Sequence, residues 1–345
     1  MEIEKAPNTK IFINRTQYAY FSGTSYLGIA ALPQFHEIVC ANIKKWGTSY
    51  GSSRNANITL SIYKKAEVFL RNFFNTEDCV TVSSGTLAGV FTLSVLEKIV
   101  DSFFYMPKTH PAILPKNAAP VFIDGNVNSQ LLSNKKESIC IVADAIVSLE
   151  TQPFTFNFLQ SISKQKKIFL LIDESHSLGV LGTNGNGIAA TLQVPENLEI
   201  IGVSSLGKAF GVNGGVIFGT NKFVNRVKRA SLFSGSAPMN PAFLESFLQA
   251  QNLYRQQLQK LQNHCAFVFE KLQSLPGIKI SKKYPVFFVD DEEIADFLFS
   301  KKIVITSFFY PTVQNKKINR IVLNANHTKE ELSCIITTLT DYFNK

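Results

Sequence analysis

The feature that most constrains this chain is a series of short apolar runs, separated by helix-like stretches, between residues 36 and 228. The runs are Val80-Thr81-Val82, Phe103-Phe104-Tyr105, Ile139-Cys140-Ile141-Val142, Ile168 to Ile172, Ile200-Ile201-Gly202-Val203 and Val216-Ile217-Phe218. Strands that are apolar almost throughout are buried on both faces, and with helices between them they build a mostly parallel sheet. The fold class predicted is therefore α/β. Sites in such sheets form beyond the carboxyl ends of the strands, which directs attention to the residues just after each run.

The flanks read differently. The stretch through Tyr18-Ala19-Tyr20-Phe21 alternates loosely, as an arm with a short strand. Asn240-Pro241 resembles an N-cap followed by a first-turn proline. Beyond it, apolar residues from Phe243 through Leu272 recur in steps of three and four, predicting one long amphipathic helix. Val286 to Val289, Ile303 to Ile305 and Ile321 to Leu323 read as strands, with helices near Glu292 to Phe299 and Lys329 to Phe343. The expected organisation is an arm (1–35), a large domain (36–228) and a smaller α+β C-terminal domain (229–345).

Composition bounds the rest. The chain is 45% hydrophobic and 18% charged, which is globular rather than disordered. No apolar run approaches the roughly 20 residues needed to span a bilayer. The N-terminus lacks a secretory signal pattern, so the cytoplasm is the expected location. Five cysteines are scattered without a paired motif, so reduced core thiols are expected and no metal site is. The formal charge of +9 suits an anionic partner such as nucleic acid or a coenzyme A ester. The lysines are dispersed in pairs, however, and a solvated surface explains them as well.

Three residues behind the sheet strands carry chemistry together. The run Ile168 to Ile172 ends in Asp173, with His176 three residues later, and Lys208 follows Ser205-Leu206-Gly207. A lysine for a Schiff base, an acid for a pyridine nitrogen and an imidazole for ring orientation are the parts that hold pyridoxal phosphate. A carboxylate at a buried strand end is costly without a positive partner; a pyridinium is one such partner, and a structural salt bridge is another. Ser83-Ser84-Gly85-Thr86-Leu87 follows the first core strand and opens a helix, where N–H groups seat a phosphate. The same serine and glycine usage also serves an ordinary strand-to-helix turn. The glycine-rich stretch Gly179 to Gly187 lacks the strand–turn–helix setting of a dinucleotide site, so a loop beside the cofactor is expected there.

Nearly the whole chain, in order, resembles the α-oxoamine synthase family of fold-type-I pyridoxal-phosphate enzymes. The resemblance rests on Ser25-Tyr26-Leu27-Gly28, Tyr50-Gly51-Ser52-Ser53-Arg54, Ser84-Gly85-Thr86, Asp173-Glu174-Ser175-His176 and Gly207-Lys208-Ala209-Phe210-Gly211. It implies that Lys208 forms the Schiff base, Asp173 pairs with the pyridine nitrogen, and His176 and Ser148 meet the ring's phenolic oxygen. It further implies that Gly85, Thr86 and Ser205 hold the phosphate, that His110 stacks on the ring, and that Arg320 clamps the amino-acid carboxylate. A guanidinium is the natural bidentate partner for that group.

The resemblance implies a homodimer that condenses a small L-amino acid with an acyl-coenzyme A thioester, with decarboxylation, to an α-amino ketone. The chain departs from the family at Thr24, where asparagine is usual, and at Ile58, where glycine is. Gly235 replaces a threonine that a neighbouring subunit supplies to the phosphate, with Ser234 and Ser236 as stand-ins. Two rivals stay open: an aminotransferase of the same fold, and a non-catalytic basic binding protein, against which the Lys208, Asp173 and His176 set argues. No nucleic-acid partner is expected.

Overall fold

The computed structural model describes residues 2–147, 150–309 and 316–344. Fifteen strands succeed one another among these residues. The first two are β1 (Lys10–Ile13) and β2 (Thr16–Phe21). Next come β3 (Asp78–Val82), β4 (Ser102–Tyr105), β5 (Ala119–Pro120), a small hairpin of β6 (Phe122–Ile123) and β7 (Asn126–Val127), β8 (Ser138–Asp144), β9 (Lys167–Asp173), β10 (Leu198–Ser205) and β11 (Gly215–Gly219). The last four are β12 (Ile278–Lys279), β13 (Val286–Val289), β14 (Ile303–Phe309) and β15 (Lys317–Val322).

Every predicted run of the large sheet is a strand, and seven strands lie in the order β3-β11-β10-β9-β8-β4-β5. The pairs from β10 through β9, β8 and β4 to β5 are parallel. Only β11 runs against its neighbours, β10 and β3. The side chains explain the continuous apolar runs. Ile168, Leu170 and Ile172 face one core layer, while Phe169 and Leu171 face the other. Successive strand residues point to opposite faces, so a strand covered on both sides must be apolar at every position. Helices Gly85–Leu96 and Asn221–Arg229 cover one face, and helix Ser61–Phe74 packs against β3 on the other. The large sheet is a covered α/β layer, as expected.

The N-terminal stretch, read as an arm with one strand, contributes two. Strands β1 and β2 extend a six-stranded sheet in the order β1-β2-β14-β15-β13-β12, with β2 parallel to β14. The chain's beginning is therefore stitched to its end, with Ala19 N–H donating to the Lys302 carbonyl at 2.8 Å.

The single long helix predicted beyond Asn240 is two helices, Pro241–Gln249 and Gln251–Leu272, broken at Ala250. Asn240 does cap the first, its side-chain oxygen accepting from Ala242 N–H at 2.8 Å. At the break, the Gln251 side-chain amide donates to the Phe247 carbonyl at 2.8 Å. A side chain inserted into the backbone ladder is a standard cause of such a kink. Helix Lys329–Phe343 matches its expectation, started by a reciprocal cap between Thr328 and Glu331. The expectation of core thiols fails at two positions. Cys40 and Cys334 are exposed, on the outward faces of their helices, whereas Cys79, Cys140 and Cys265 are buried. Among the described residues, no helix is long and apolar enough to cross a membrane.

Candidate active site

A cavity of about 490 Å³ opens at the carboxyl ends of the parallel strands. Its walls result from connectivity. The end of β3 feeds Ser84, Gly85 and Thr86, the end of β4 leads to His110, and β8 and β9 terminate in Asp144 and Asp173. Ser205 closes β10, and Lys208 comes three residues later. This volume is within the range of pockets that enclose small cofactors.

Lys208 Nζ lies 2.9 Å from His176 Nε2, and His176 Nδ1 lies 2.7 Å from the Tyr26 hydroxyl. Burial pushes the Lys208 amine below its ordinary range, opposed by the nearby charges of Asp173 and Asp144. Burial also holds the His176 imidazole well below its usual range, helped by the Lys208, Arg320 and His110 charges. Both effects favour a neutral amine beside a neutral imidazole. The Asp173 carboxylate accepts from Ser175 N–H at 2.8 Å. Its sequence neighbour Glu174 points away and is fully buried, where it accepts from Ile188 N–H at 2.9 Å and Ala189 N–H at 2.6 Å. Burial raises Glu174 to about 7.

That buried acid explains the glycine-rich loop. Gly187 passes so close that an added Cβ would stand 2.6 Å from the Glu174 carboxylate. At Gly179 a Cβ would meet Ala209, just after Lys208, at 2.5 Å. The loop thus lies against the Lys208 segment.

At the other end of the cavity, Ser84 caps helix Gly85–Leu96 by accepting from Leu87 N–H at 3.2 Å. Gly85 and Ser205, two of the phosphate candidates, are in contact: a Cβ on Gly85 would fall 2.6 Å from Ser205 Cβ and 2.9 Å from its backbone nitrogen. Thr86 lines the same end. Two adjoining small residues and a helix N-terminus form a seat for a phosphate. We expect Gly85→Ala to force the helix start away from Ser205 and weaken pyridoxal phosphate binding at least about tenfold, the equivalent of one lost hydrogen bond. Equilibrium dialysis of wild type and variant checks this, with helix content by circular dichroism unchanged.

His110 forms part of the wall, its Nδ1 accepting from Ala112 N–H at 3.2 Å. Arg320 sits on β15, opposite Phe288 and Thr306. Its Nε is buried without a hydrogen-bond partner, and its charge bears on His176 and Lys208. Buried polar groups are ordinarily paired, so this atom has room for an acceptor, although Arg320 is not among the residues that line the cavity. Ser148 lies outside the described residues. Neither Ser234 nor Ser236 lines this cavity: the Ser234 hydroxyl accepts from Asn55 Nδ2, and Ser236 donates to the Leu232 carbonyl.

The structure adds two residues that sequence reading passed over. Asp144 stands opposite Asp173 in register, only 5% exposed, and accepts from His110 N–H at 3.2 Å. Burial and then the Asp173 charge push its carboxyl up to about 7. The signal was available, because Ile139 to Ala143 is an apolar run ending in an acid, as at Asp173. The other is Tyr26, part of the Ser25 to Gly28 motif, which reaches His176 across 150 residues of chain.

The chain is similar to known proteins over most of its length. A family model described as aminotransferase class I and II matches residues 128–339. The chain is 26% identical to 8-amino-7-oxononanoate synthase of Petrotoga mobilis, covering 96% of this chain and 89% of that one. It is 27% identical to the same enzyme of Buchnera aphidicola, covering 99% and 94%. Among solved structures, serine palmitoyltransferase from S. paucimobilis superposes with a TM-score of 0.82 at 17% identity, over 99% of this chain and 91% of that one. The 8-amino-7-oxononanoate synthase of Francisella tularensis superposes at 0.71 with 23% identity, over 95% and 98%.

Proposed function

The chain belongs to the aminotransferase class I and II family, and on that premise we propose that it condenses a small L-amino acid with an acyl-coenzyme A thioester. Carbon dioxide and free coenzyme A leave, and an α-amino ketone remains. The chain is a pyridoxal-phosphate-dependent transferase of fold type I, grouped with the α-oxoamine synthases. The observation that carries the reading is the meeting, in one cavity, of Lys208, His176, Asp173 and the helix start at Gly85.

Those residues fit the cofactor. The contact of Gly85 with Ser205 leaves backbone N–H groups for a phosphate, and the two strand-end acids supply the charge a pyridinium requires. When bound, pyridoxal phosphate supplies an aldehyde for the substrate amine and a ring that takes up electrons from the amino acid's α-carbon. In this proposal Lys208 Nζ holds the cofactor at rest and, once freed, moves the α-proton as a neutral amine. Asp173 keeps a proton on the ring nitrogen, His176 and Ser148 orient the phenolic oxygen, and His110 covers the ring and excludes water. Gly85, Thr86 and Ser205 bind the phosphate.

Arg320 binds the amino-acid carboxylate. Arg320→Ala is then expected to lower kcat/KM for the amino acid about 10- to 100-fold, the scale of a hydrogen bond to a charged group. The KM for the acyl thioester should stay unchanged in the same steady-state assay.

The proposal extends to a cytoplasmic homodimer, with the chain divided into an arm (1–35), a large domain (36–228) and a small domain (229–345). Supporting a dimer, Ile58 and Leu232 are 71% and 47% exposed on segments that Asn55 ties together through the Lys228 carbonyl and Ser234. Exposed large apolar side chains are candidates for burial against a second copy. Ser234 and Ser236 would then serve the partner's phosphate.

The test is to incubate the purified protein with glycine, alanine or serine together with an acyl-coenzyme A. Equal release of coenzyme A and carbon dioxide supports the synthase. Keto-acid formation with pyridoxamine phosphate would make it an aminotransferase, and neither product would refute both.

A further inference from the structure

We propose that Tyr26, backed by Tyr284, is a positioning residue whose hydroxyl donates to His176 Nδ1 and so holds the imidazole proton on Nε2, the nitrogen that faces Lys208. A neutral imidazole carries one N–H, and the partner of one nitrogen decides which nitrogen has it. His176 has one partner at each nitrogen: the Tyr26 hydroxyl at 2.7 Å from Nδ1 and Lys208 Nζ at 2.9 Å from Nε2. The charged or chargeable groups that act on His176 are Lys208, Arg320 and His110, all of which disfavour a second proton on the ring.

The burial of the two tyrosines favours that direction. Tyr26 and Tyr284 are 1% and 3% exposed, with ring centroids 6.3 Å apart. Burial keeps both phenols protonated. The proton that Tyr26 keeps lies within reach of His176 Nδ1, at 2.7 Å, and its donation there leaves Nε2–H facing Lys208. Tyr26 is itself fixed: Ala325 N–H donates to its carbonyl at 2.9 Å, and its N–H donates to the Thr24 carbonyl at 2.9 Å. The residue that sets the imidazole's proton is therefore held by the turn after β15, the strand that carries Arg320.

The consequence is functional. With Nε2–H as donor, His176 can hold the cofactor's phenolic oxygen, while without cofactor the same hydrogen faces Lys208 Nζ. The opposite tautomer would present a bare lone pair to that oxygen and repel it. This inference rests on the pyridoxal-phosphate reading of the cavity, but not on which reaction the enzyme then performs.

The test is nitrogen NMR of the full-length holoenzyme labelled at histidine, with His176 assigned by comparison with His176→Gln. Near neutral pH the wild type is expected to show Nε2 protonated and Nδ1 bare. Tyr26→Phe should lose that preference, weaken cofactor binding about tenfold, and displace the pH midpoint of the bound cofactor's absorbance. A wild type with its proton on Nδ1 would overturn the proposal, needing no variant. So would a Tyr26→Phe protein with unaltered tautomer and spectrum. Because the tautomer is read without substrate, its failure and a failure of coenzyme A release are separate results.

Discussion

Lys208→Ala is expected to yield a folded protein that takes up pyridoxal phosphate without bonding to it and loses activity by about 10⁴-fold or more. Positioned acid–base groups alone account for 10²- to 10⁴-fold in such reactions, and here the same amine also holds the cofactor. The fold should tolerate the change. Lys208 lies in a loop closed by backbone bonds, Leu206 N–H to the Gly214 carbonyl at 2.9 Å and Val212 N–H to the Leu206 carbonyl at 3.2 Å. Its side chain bonds to His176 Nε2, whose other nitrogen remains tied to Tyr26. The checks are a thermal melt close to that of wild type, loss of the borohydride-reducible chromophore, and the coenzyme A release assay.

Asp173→Asn should bind the cofactor and fold normally yet lower kcat by about 10²- to 10³-fold, the usual cost of removing one preorganised electrostatic group. The amide oxygen can still accept from Ser175 N–H, so the strand end is preserved. What is lost is the negative charge that keeps the ring nitrogen protonated. The variant also tests the acid across the register. The Asp173 charge is one of the causes that raise Asp144 to about 7, so neutralising residue 173 should lower the Asp144 value. An enzyme whose kcat is unchanged in Asp173→Asn would place the essential acid at Asp144 instead.

The large sheet was legible because both its faces are covered, which demands apolar residues at every strand position, as β8 and β9 display. Asp173 was legible for the related reason that a polar residue directly behind such a run stands out, and Lys208 because it sits in a glycine-flanked segment just beyond another run. What escaped notice depends on contacts between distant segments. The pairing of β2 with β14 joins residues 19–21 to 303–305, and no local periodicity reports it. The break at Ala250 arises where a glutamine amide competes for a backbone carbonyl, invisible in a hydrophobic pattern that continues across it. Tyr26 belongs to a quoted motif, but its role comes from meeting a histidine on the other sheet's strand end. Asp144 was the one avoidable omission.

The most direct test of the account is to reduce the purified holoenzyme with borohydride, digest it, and locate the pyridoxyl group by peptide mass. A single labelled peptide, the one containing Lys208, is expected. Label on another lysine, or a yellow protein that borohydride leaves unlabelled, would contradict it.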